Sequence, residues 1–388
     1  MKRKNILGKI KRLINYPFSY NTYEHRPDYI LIIALGLICF FGLLMLSSAS
    51  SVQAFQKFND SYYFLKHQLL RGFLPGLIIF FIVSRIDFRR WRKYAFYLLV
   101  ATVVMLILVF IPGLGTSYGK AAQSWIKLGF LSFQPAEIVK LTFLIYLATW
   151  LAKRNEKEIG DFEYSFLPFL FLLAVIIFLI LAQPDLGTLL VIIAMAFITY
   201  FVAGAPWKHI IGLIFGALLV LFIVVQIAPY RLARLTSFLN PTLDPQGTSY
   251  QINQAKLAIG TGGLFGLGMG KSRQKFNYLP EVSGDSIFAV IAEEMGFIFS
   301  LLILSLFLII MVRGFKIARA SPDNFGKVLA VGITSWFSFQ AFVNIAAMVG
   351  LLPLTGIPLP FISYGGTALT VSLVASGILV NISKQTKG

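Results

Sequence analysis

Long uncharged apolar runs alternate with short polar connections along this chain. Residues 29–47, 94–111 and 166–182 carry no charge, and each is long enough to cross a hydrocarbon core of roughly 30 Å. Residues 287–312 read the same way, interrupted by Glu293 and Glu294. Ten spans are expected, near 29–47, 67–84, 94–111, 136–152, 166–182, 187–204, 209–228, 287–311, 328–350 and 366–382. The expected fold class is an all-α polytopic membrane protein of about ten transmembrane helices, with a long extracytoplasmic loop between helices 7 and 8.

Two connections exceed a simple turn, 112–135 and 229–286, and long ordered loops tend to carry function. Pro229, Pro241 and Pro245 punctuate the first half of the longer loop. Residues 250–259 have the composition of a helix that can lie on the membrane surface, and the glycines from 260 to 270 permit tight turns. With no periodic repeat visible, the chain divides into a basic segment 1–28, one membrane domain 29–383 and a tail 384–388.

Composition agrees, since 57% of residues are hydrophobic and 13% charged, against about a quarter charged in soluble domains. Basic residues resist translocation, so their distribution predicts orientation. With the N-terminus inside, cytoplasmic segments hold 22 Lys and Arg and external ones 10, with Arg71 and Lys140 inside spans. Both termini are therefore expected in the cytoplasm. The basic segment precedes a full-length span, so the first span reads as retained and not as a cleaved leader. A net charge of +18 invites a nucleic-acid reading, but the cations follow topology and anionic headgroups, and no soluble basic domain exists to grip a duplex. Cys39 is the only cysteine, which excludes an internal disulfide, and His25, His67 and His209 are too scattered for a metal motif.

Candidate chemistry gathers near the long loop. Gly270-Lys271-Ser272 superficially suggests a phosphate-binding P-loop, but Phe265 stands where that motif needs glycine. Lys256, Lys271, Arg273 and Lys275, with Arg231 and Arg234, place six cations on a face the charge rule leaves neutral. An anionic external ligand, such as a lipid-linked diphosphate, accounts for them; surface solvation or phospholipid contact is the plainer alternative. Asp285, just before a span, can cap that helix or take a proton from a sugar hydroxyl in glycosyl transfer. Glu293 and Glu294 lie further along the same helix, where ionisable groups are costly and face the protein interior or a cavity. Glu137 and Lys140, three residues apart, can pair on one helix face, and Arg71 is a charge within the second span seeking a partner. Asp185, in a short hairpin, suits a cap for the sixth span.

The segments FQPAEIVK (133–140), QPDLGT (183–188), the block 231–294 and GLLPLTGIPLPFISYGG (350–366) resemble the SEDS family, the shape, elongation, division and sporulation proteins. The resemblance runs from about Ser47 to Ser383. It implies a ten-helix peptidoglycan glycosyltransferase that polymerises lipid II on the outer face of the bacterial cytoplasmic membrane. It also implies that the family's essential acid corresponds to Asp285, its functional tryptophan to Trp125, and its fourth-helix Glu and Lys to Glu137 and Lys140. The sequence departs from many relatives before Trp125, where Ala121 or Ala122 and Ser124 replace a glycine and an arginine; Lys120 or Lys127 are candidates to compensate. Ser283-Gly284-Asp285-Ser286 stands where many relatives have His-Thr-Asp-Phe.

The string GGLFGLGMGKSRQKFNYLPE is closer to the division type than to the elongation type. Either type implies a class B penicillin-binding protein transpeptidase as partner, with other divisome or elongasome membrane proteins. The expected mechanism has loop cations hold the undecaprenyl diphosphate of the donor while Asp285 acts as general base. A divalent cation is a possible countercharge for the diphosphate, although no dedicated metal cage is visible. A lipid II flippase using Arg71, Glu137, Lys140, Glu293 and Glu294, or a non-catalytic scaffold, are the alternatives.

Overall fold

The structure is a computed structural model that describes residues 25–386 apart from 117–122, 130, 228 and 243. Most of the basic N-terminal segment, Lys120, Ala121, Ala122 and the end of the tail lie outside the described residues, as does the side chain of Arg231. The chain is mostly helical, at 71%. Helix α1 (Tyr29–Ala49) opens with Asp28 accepting the Leu31 N–H, and a short amphipathic helix α2 (Ser51–Phe58) follows. Helix α3 (Tyr63–Val83) contains a π-helical turn at Leu69–Phe73, and α4 (Phe88–Leu108) begins as one 3₁₀ turn. A small antiparallel sheet, β1 (Gly115–Thr116), β2 (Trp125–Leu128) and β3 (Leu131–Phe133), leads into α5 (Pro135–Leu151). Then come α6 (Phe162–Leu181), α7 (Leu186–Val202) and α8 (Trp207–Ile227). The long connection carries α9 (Pro229–Leu239) and α10 (Tyr250–Gly262), and α11 (Ile287–Arg319), α12 (Asn324–Met348) and α13 (Gly366–Ser383) complete the chain.

Among the described residues, seven helices are long and apolar enough to cross a membrane: α1, α3, α4, α6, α11, α12 and α13. Helix α7 and the apolar part of α8 are shorter, and α5 has 17 residues with Glu137 and Lys140 among them. Burial separates centre from rim. The apolar windows of α12 and α13 are 78% and 72% buried, whereas that of α4 is 22% buried and leaves its apolar side chains facing outward. Helix α5 is buried along nearly its whole length. Small residues allow these inner helices to approach closely: Gly332 faces Leu144 and Thr199, and Gly314 faces Thr334. An apolar cavity of about 250 Å³ between α7 and α8, lined by Leu186, Leu190, Ile214 and Leu218, offers no group for chemistry.

Three expectations need correction. The second span starts at Tyr63, four residues earlier than its apolar run suggests, because its polar first turn, Tyr63–Gln68, is held by the Phe58 ring stacked on Tyr63 and by the Gln68 bonds to residues 363 and 365. Pro229, read as punctuation, opens α9, since a proline at the first helical position lacks only an N–H that would have no partner there. The span expected over 287–311 is not one helix. Gly296 has φ 77° and ψ −175°, a conformation closed to residues with a Cβ, and it divides α11 into 287–295 and 297–319.

Candidate functional site

Asp285 stands at the start of the first segment of α11. Ser286, next to it, occupies the N-cap position, and its own side chain makes no capping bond. The turn before it closes on itself, with the Gly284 and Ser286 N–H groups donating to the Glu281 carbonyl at 2.9 and 3.2 Å. Asn344 on α12 donates to the Asp285 carbonyl at 2.8 Å and to the Ile357 carbonyl at 2.7 Å, which fixes the main chain. The half-buried carboxylate accepts from the Gln251 amide of α10 at 3.3 Å, and the same amide donates to Ser286 Oγ at 3.0 Å. Gly356 lies between Asp285 and Arg234: a Cβ there would stand 3.8 Å from Asp285 Oδ2 and 3.9 Å from Arg234 Nη1. The carboxylate and the exposed guanidinium therefore face the same small space.

The motifs singled out by sequence meet at residues 363–367. Ser363 Oγ donates to the Gly284 carbonyl at 2.7 Å, and the Tyr364 N–H donates to the Ser283 carbonyl at 2.8 Å. Gln68 on α3 bonds both the Ser363 carbonyl and the Gly365 N–H. The Gln134 N–H donates to Thr367 Oγ1, while the Gln134 amide donates to Asp185 at 3.2 Å. Asp185 caps α7 through the Thr188 N–H, as expected of it. Arg71 lies one turn beyond Gln68, with its backbone against Gly366. Expected to be buried with a partner, it is exposed, and among the described residues its guanidinium has none. Trp125 and Lys127 are two residues apart on β2, hence on one face of the strand, in the hairpin that runs through β3 into Gln134.

Glu137 and Lys140 form the expected ion pair, at 2.7 Å, with side chains only 4% and 2% exposed. Lys140 Nζ lies 4.9 Å from the centre of the Trp336 ring and donates to Gln340 Oε1, which also accepts from Trp336 Nε1. The Gln340 amide donates in turn to the Pro358 carbonyl at 2.8 Å. Gln340 and Asn344 are one turn apart on α12, so one helix face ties the buried pair, the loop around Ile357 and Pro358, and Asp285 into a single network. A buried pair of this kind gives weak net stability when intact, but removing one partner strands a charge.

The expected group of four loop cations is split. Lys275 is buried, its Nζ bonded to Glu294 at 2.9 Å, the Gly270 carbonyl at 2.6 Å and Ser48 Oγ at 3.2 Å. Glu293 accepts from Ser272 Oγ and from the Arg273 and Gln274 N–H groups, and Glu294 accepts from Ser48 Oγ and the Ser272 N–H. Lys275, Glu293 and Glu294, expected as ligand contacts or path-lining charges, are thus consumed in clamping the glycine-rich loop to α1 and α11. Lys271 and Arg273 remain exposed on that loop, which is tied by the Arg273 N–H to Glu293, itself about 12 Å by helical rise from Asp285. Lys256, also exposed, crosses Gly350 from α10, nearer to Gln251.

Gln68, Gln134, Gln251, Gln340 and Asn344 carry much of this architecture, yet none bears a charge that marks it out in the sequence. The signal was present: Gln340 and Asn344, spaced by four, are amides inside an otherwise apolar span, where a polar side chain must find a partner. Asp244 orders the approach to α10 by accepting from the Gly247 and Thr248 N–H groups, and the Thr248 bond holds its carboxyl below the usual carboxylate range. Among the described residues, no three His, Cys, Asp or Glu side chains form a set able to hold a metal ion.

Several apolar helices gathered around a buried polar network, with one half-buried carboxylate at a junction of loops, define a multi-pass membrane protein with a polar site at one end of its bundle. Residues 28–388 match the model of the FtsW/RodA/SpoVE family, described as cell cycle protein, and the chain belongs to that family. It is 43% identical over 366 residues to stage V sporulation protein E of Bacillus subtilis, covering 94% of this chain and 99% of the relative. It is also 43% identical over 375 residues to the probable peptidoglycan glycosyltransferase FtsW of Geobacter sulfurreducens, covering 97% and 100%. Among solved structures it resembles the Thermus thermophilus rod shape determining protein RodA, with TM-score 0.68, 27% identity and coverage of 93% and 98%. It likewise resembles a chain from a peptidoglycan synthase complex concerned with the coordination of polymerization and crosslinking, with TM-score 0.75, 28% identity and coverage of 93% and 98%.

Proposed function

We propose that this protein is a peptidoglycan glycosyltransferase that polymerises lipid II, with Asp285 as general base. Asp285 removes the proton from an acceptor sugar hydroxyl as that oxygen bonds to the donor's anomeric carbon. The bond from that carbon to the undecaprenyl diphosphate breaks, and the diphosphate leaves with the electron pair. Arg234 beside Asp285, with Arg71, Lys127 and Lys256 around the same junction, supplies positive charge for the departing diphosphate, and Trp125 offers a flat apolar face to a sugar ring. Holding both lipid-linked substrates in one groove removes much of the entropic barrier. A divalent cation at the diphosphate would be held by ligand oxygens with Asp285, since the surrounding residues build no cage of their own.

The observation that carries this reading is the carboxylate itself, half-buried at the junction of three family motifs, with Gln251 on its oxygen and Asn344 on its main chain. The flippase alternative needs buried charges along a path, but Glu137, Lys140, Glu293 and Glu294 are engaged in closed pairs and clamps. We take the membrane domain to have ten spans, the seven long helices together with α5, α7 and α8. Both termini are cytoplasmic and the Asp285 end extracytoplasmic, supported by the excess of Lys and Arg in the connections on the other side. The relatives named FtsW favour a role in septal wall synthesis, and the synthase-complex likeness favours a class B penicillin-binding protein as partner.

The test is glycan-chain synthesis from purified lipid II in detergent, with and without the cognate transpeptidase, comparing wild type with Asp285→Ala. Polymer from wild type that disappears in a folded variant supports the assignment. Polymer retained by the variant removes Asp285 as base, and no polymer from wild type in any condition moves the reading to the flippase.

A further inference from the structure

The glycine-rich loop 263–270 presents apolar side chains with no protein cover. Phe265 is 80% exposed, and Leu264, Leu267 and Met269 are exposed beside it. The loop is not a loose excursion, because it replaces the backbone bonds lost where Gly296 breaks α11. The Phe297 and Ile298 N–H groups donate to the Gly263 and Leu264 carbonyls, and the Leu267 and Gly268 N–H groups donate to the Glu293 and Glu294 carbonyls. Irregular backbone of this kind survives at membrane depth only when its polar groups are satisfied in this way. The apolar tip continues onto Phe297 and Ile298, themselves exposed on the spanning part of α11.

Two polar anchors give the depth. Asp28, at the start of α1, pairs with Arg313 of α11 at 2.6 Å, and Ser48, at the other end of α1, bonds Glu294. Between Asp28 and Ser48 the helix rises about 30 Å, the thickness of a hydrocarbon core. The Ser48, Glu294 and Lys275 cluster therefore marks one boundary of the core, and the loop lies against that boundary. Lys271 and Arg273, exposed at its C-terminal rim, fall at headgroup level.

We propose that loop 263–270 inserts its apolar tip into the leaflet on the Asp285 side and that Lys271 and Arg273 bind the headgroup of an anionic phospholipid there. The occupant is a phospholipid because the patch continues the lipid-facing surface of α11 and pairs an apolar tip with a basic rim. This assignment stands apart from the glycosyltransferase reading, since the loop cations lie at the far end of the short helix from Asp285.

The test uses the full chain with Cys39→Ala and Phe265→Cys, labelled with bimane and reconstituted in phosphatidylcholine vesicles free of lipid II. The expected result is strong quenching by doxyl-labelled lipid and weak quenching by aqueous iodide. Doxyl-phosphatidylglycerol should exceed doxyl-phosphatidylcholine by roughly fivefold per cation, the fold-change equivalent of about 1 kcal/mol for each basic residue near an anionic surface. Adding Lys271→Gln and Arg273→Gln should abolish that preference while lipid quenching persists. Iodide access matching that of free dye, as for a tip in water, or weak quenching by both iodide and doxyl lipid, as for a tip under a protein neighbour, would overturn insertion. A phosphatidylglycerol preference near one, or one unchanged by the two substitutions, would overturn the headgroup site and leave a neutral apolar wedge.

Discussion

At one end of segment 287–295, Asp285 is half-buried and held by a neutral amide, an alcohol and a main-chain contact; at the other, Glu293 and Glu294 are fully buried and answered by a lysine, two serines and three backbone N–H groups. The same residue class does opposite work. A carboxylate surrounded by dedicated donors fixes a loop in place and is unavailable to a substrate. One met by a neutral amide, with the Arg234 guanidinium facing the same space, stays half-exposed and within reach of a substrate. Perturbing each end should therefore change different observables.

The largest stability effect is expected at the clamp. Glu294→Ala leaves Lys275 buried and unpaired, at a cost of about 3–5 kcal/mol. It should lower the thermal midpoint in detergent sharply, whereas Glu294→Ala combined with Lys275→Met should recover much of the loss. The Glu137 and Lys140 pair belongs with the clamp on this measure: Glu137→Ala should destabilise by a similar amount, because Lys140 would keep only Gln340 and the Trp336 ring. If both single variants melted like wild type, the division into structural and working acids would fail.

Between the two ends sits Asn344. Asn344→Ala strands the Ile357 carbonyl and frees the Asp285 main chain, costing about 1–3 kcal/mol. It should also slow polymerisation by about ten- to a hundredfold, as expected of small misplacement in a reacting site. Gln251→Ala removes one neutral bond to the carboxylate, so a reduction of only severalfold in kcat, with an unchanged melting midpoint, is expected. Acid should have the smallest effect. The depressed carboxyl of Asp244 holds its turn while ionised, a contribution present above the ordinary carboxylate value and lost as pH falls through its own lower value. Hydrogen-exchange protection factors at 244–250, taken relative to the intrinsic exchange rate at each pH, should thus be flat from about pH 8 to 5 and fall only in stronger acid, below about pH 4.

The seven long apolar helices were legible because a hydrocarbon core leaves an unmistakable apolar signature. Asp285, Glu137 and Lys140 were legible because charges are rare in such a chain and the motifs around them resemble a family. The break at Gly296 was hidden: an apolar run reads the same whether a glycine within it is helical or turned out, and only the loop returning to bond Phe297 and Ile298 distinguishes the two. That omission made Glu293 and Glu294 look like acids deep in a continuous helix and made Lys275 look like a free surface cation. The hairpin around Trp125 was also missed, because its strands are too short for alternation to register. Gln251, Gln340 and Asn344 carry no charge, and apart from Trp336, one turn before Gln340, their partners are carbonyls and side chains remote in sequence.

The most direct test sets the two ends of the segment against each other, measuring lipid II polymerisation per folded molecule and the thermal midpoint for Asp285→Asn and Glu294→Gln side by side. Asp285→Asn should lose about 10²- to 10⁴-fold in rate at an unchanged midpoint, the scale of a missing general base. Glu294→Gln should melt several degrees lower while its folded fraction still polymerises. Polymer retained by Asp285→Asn, or a stably folded Glu294→Gln without activity, would contradict the account.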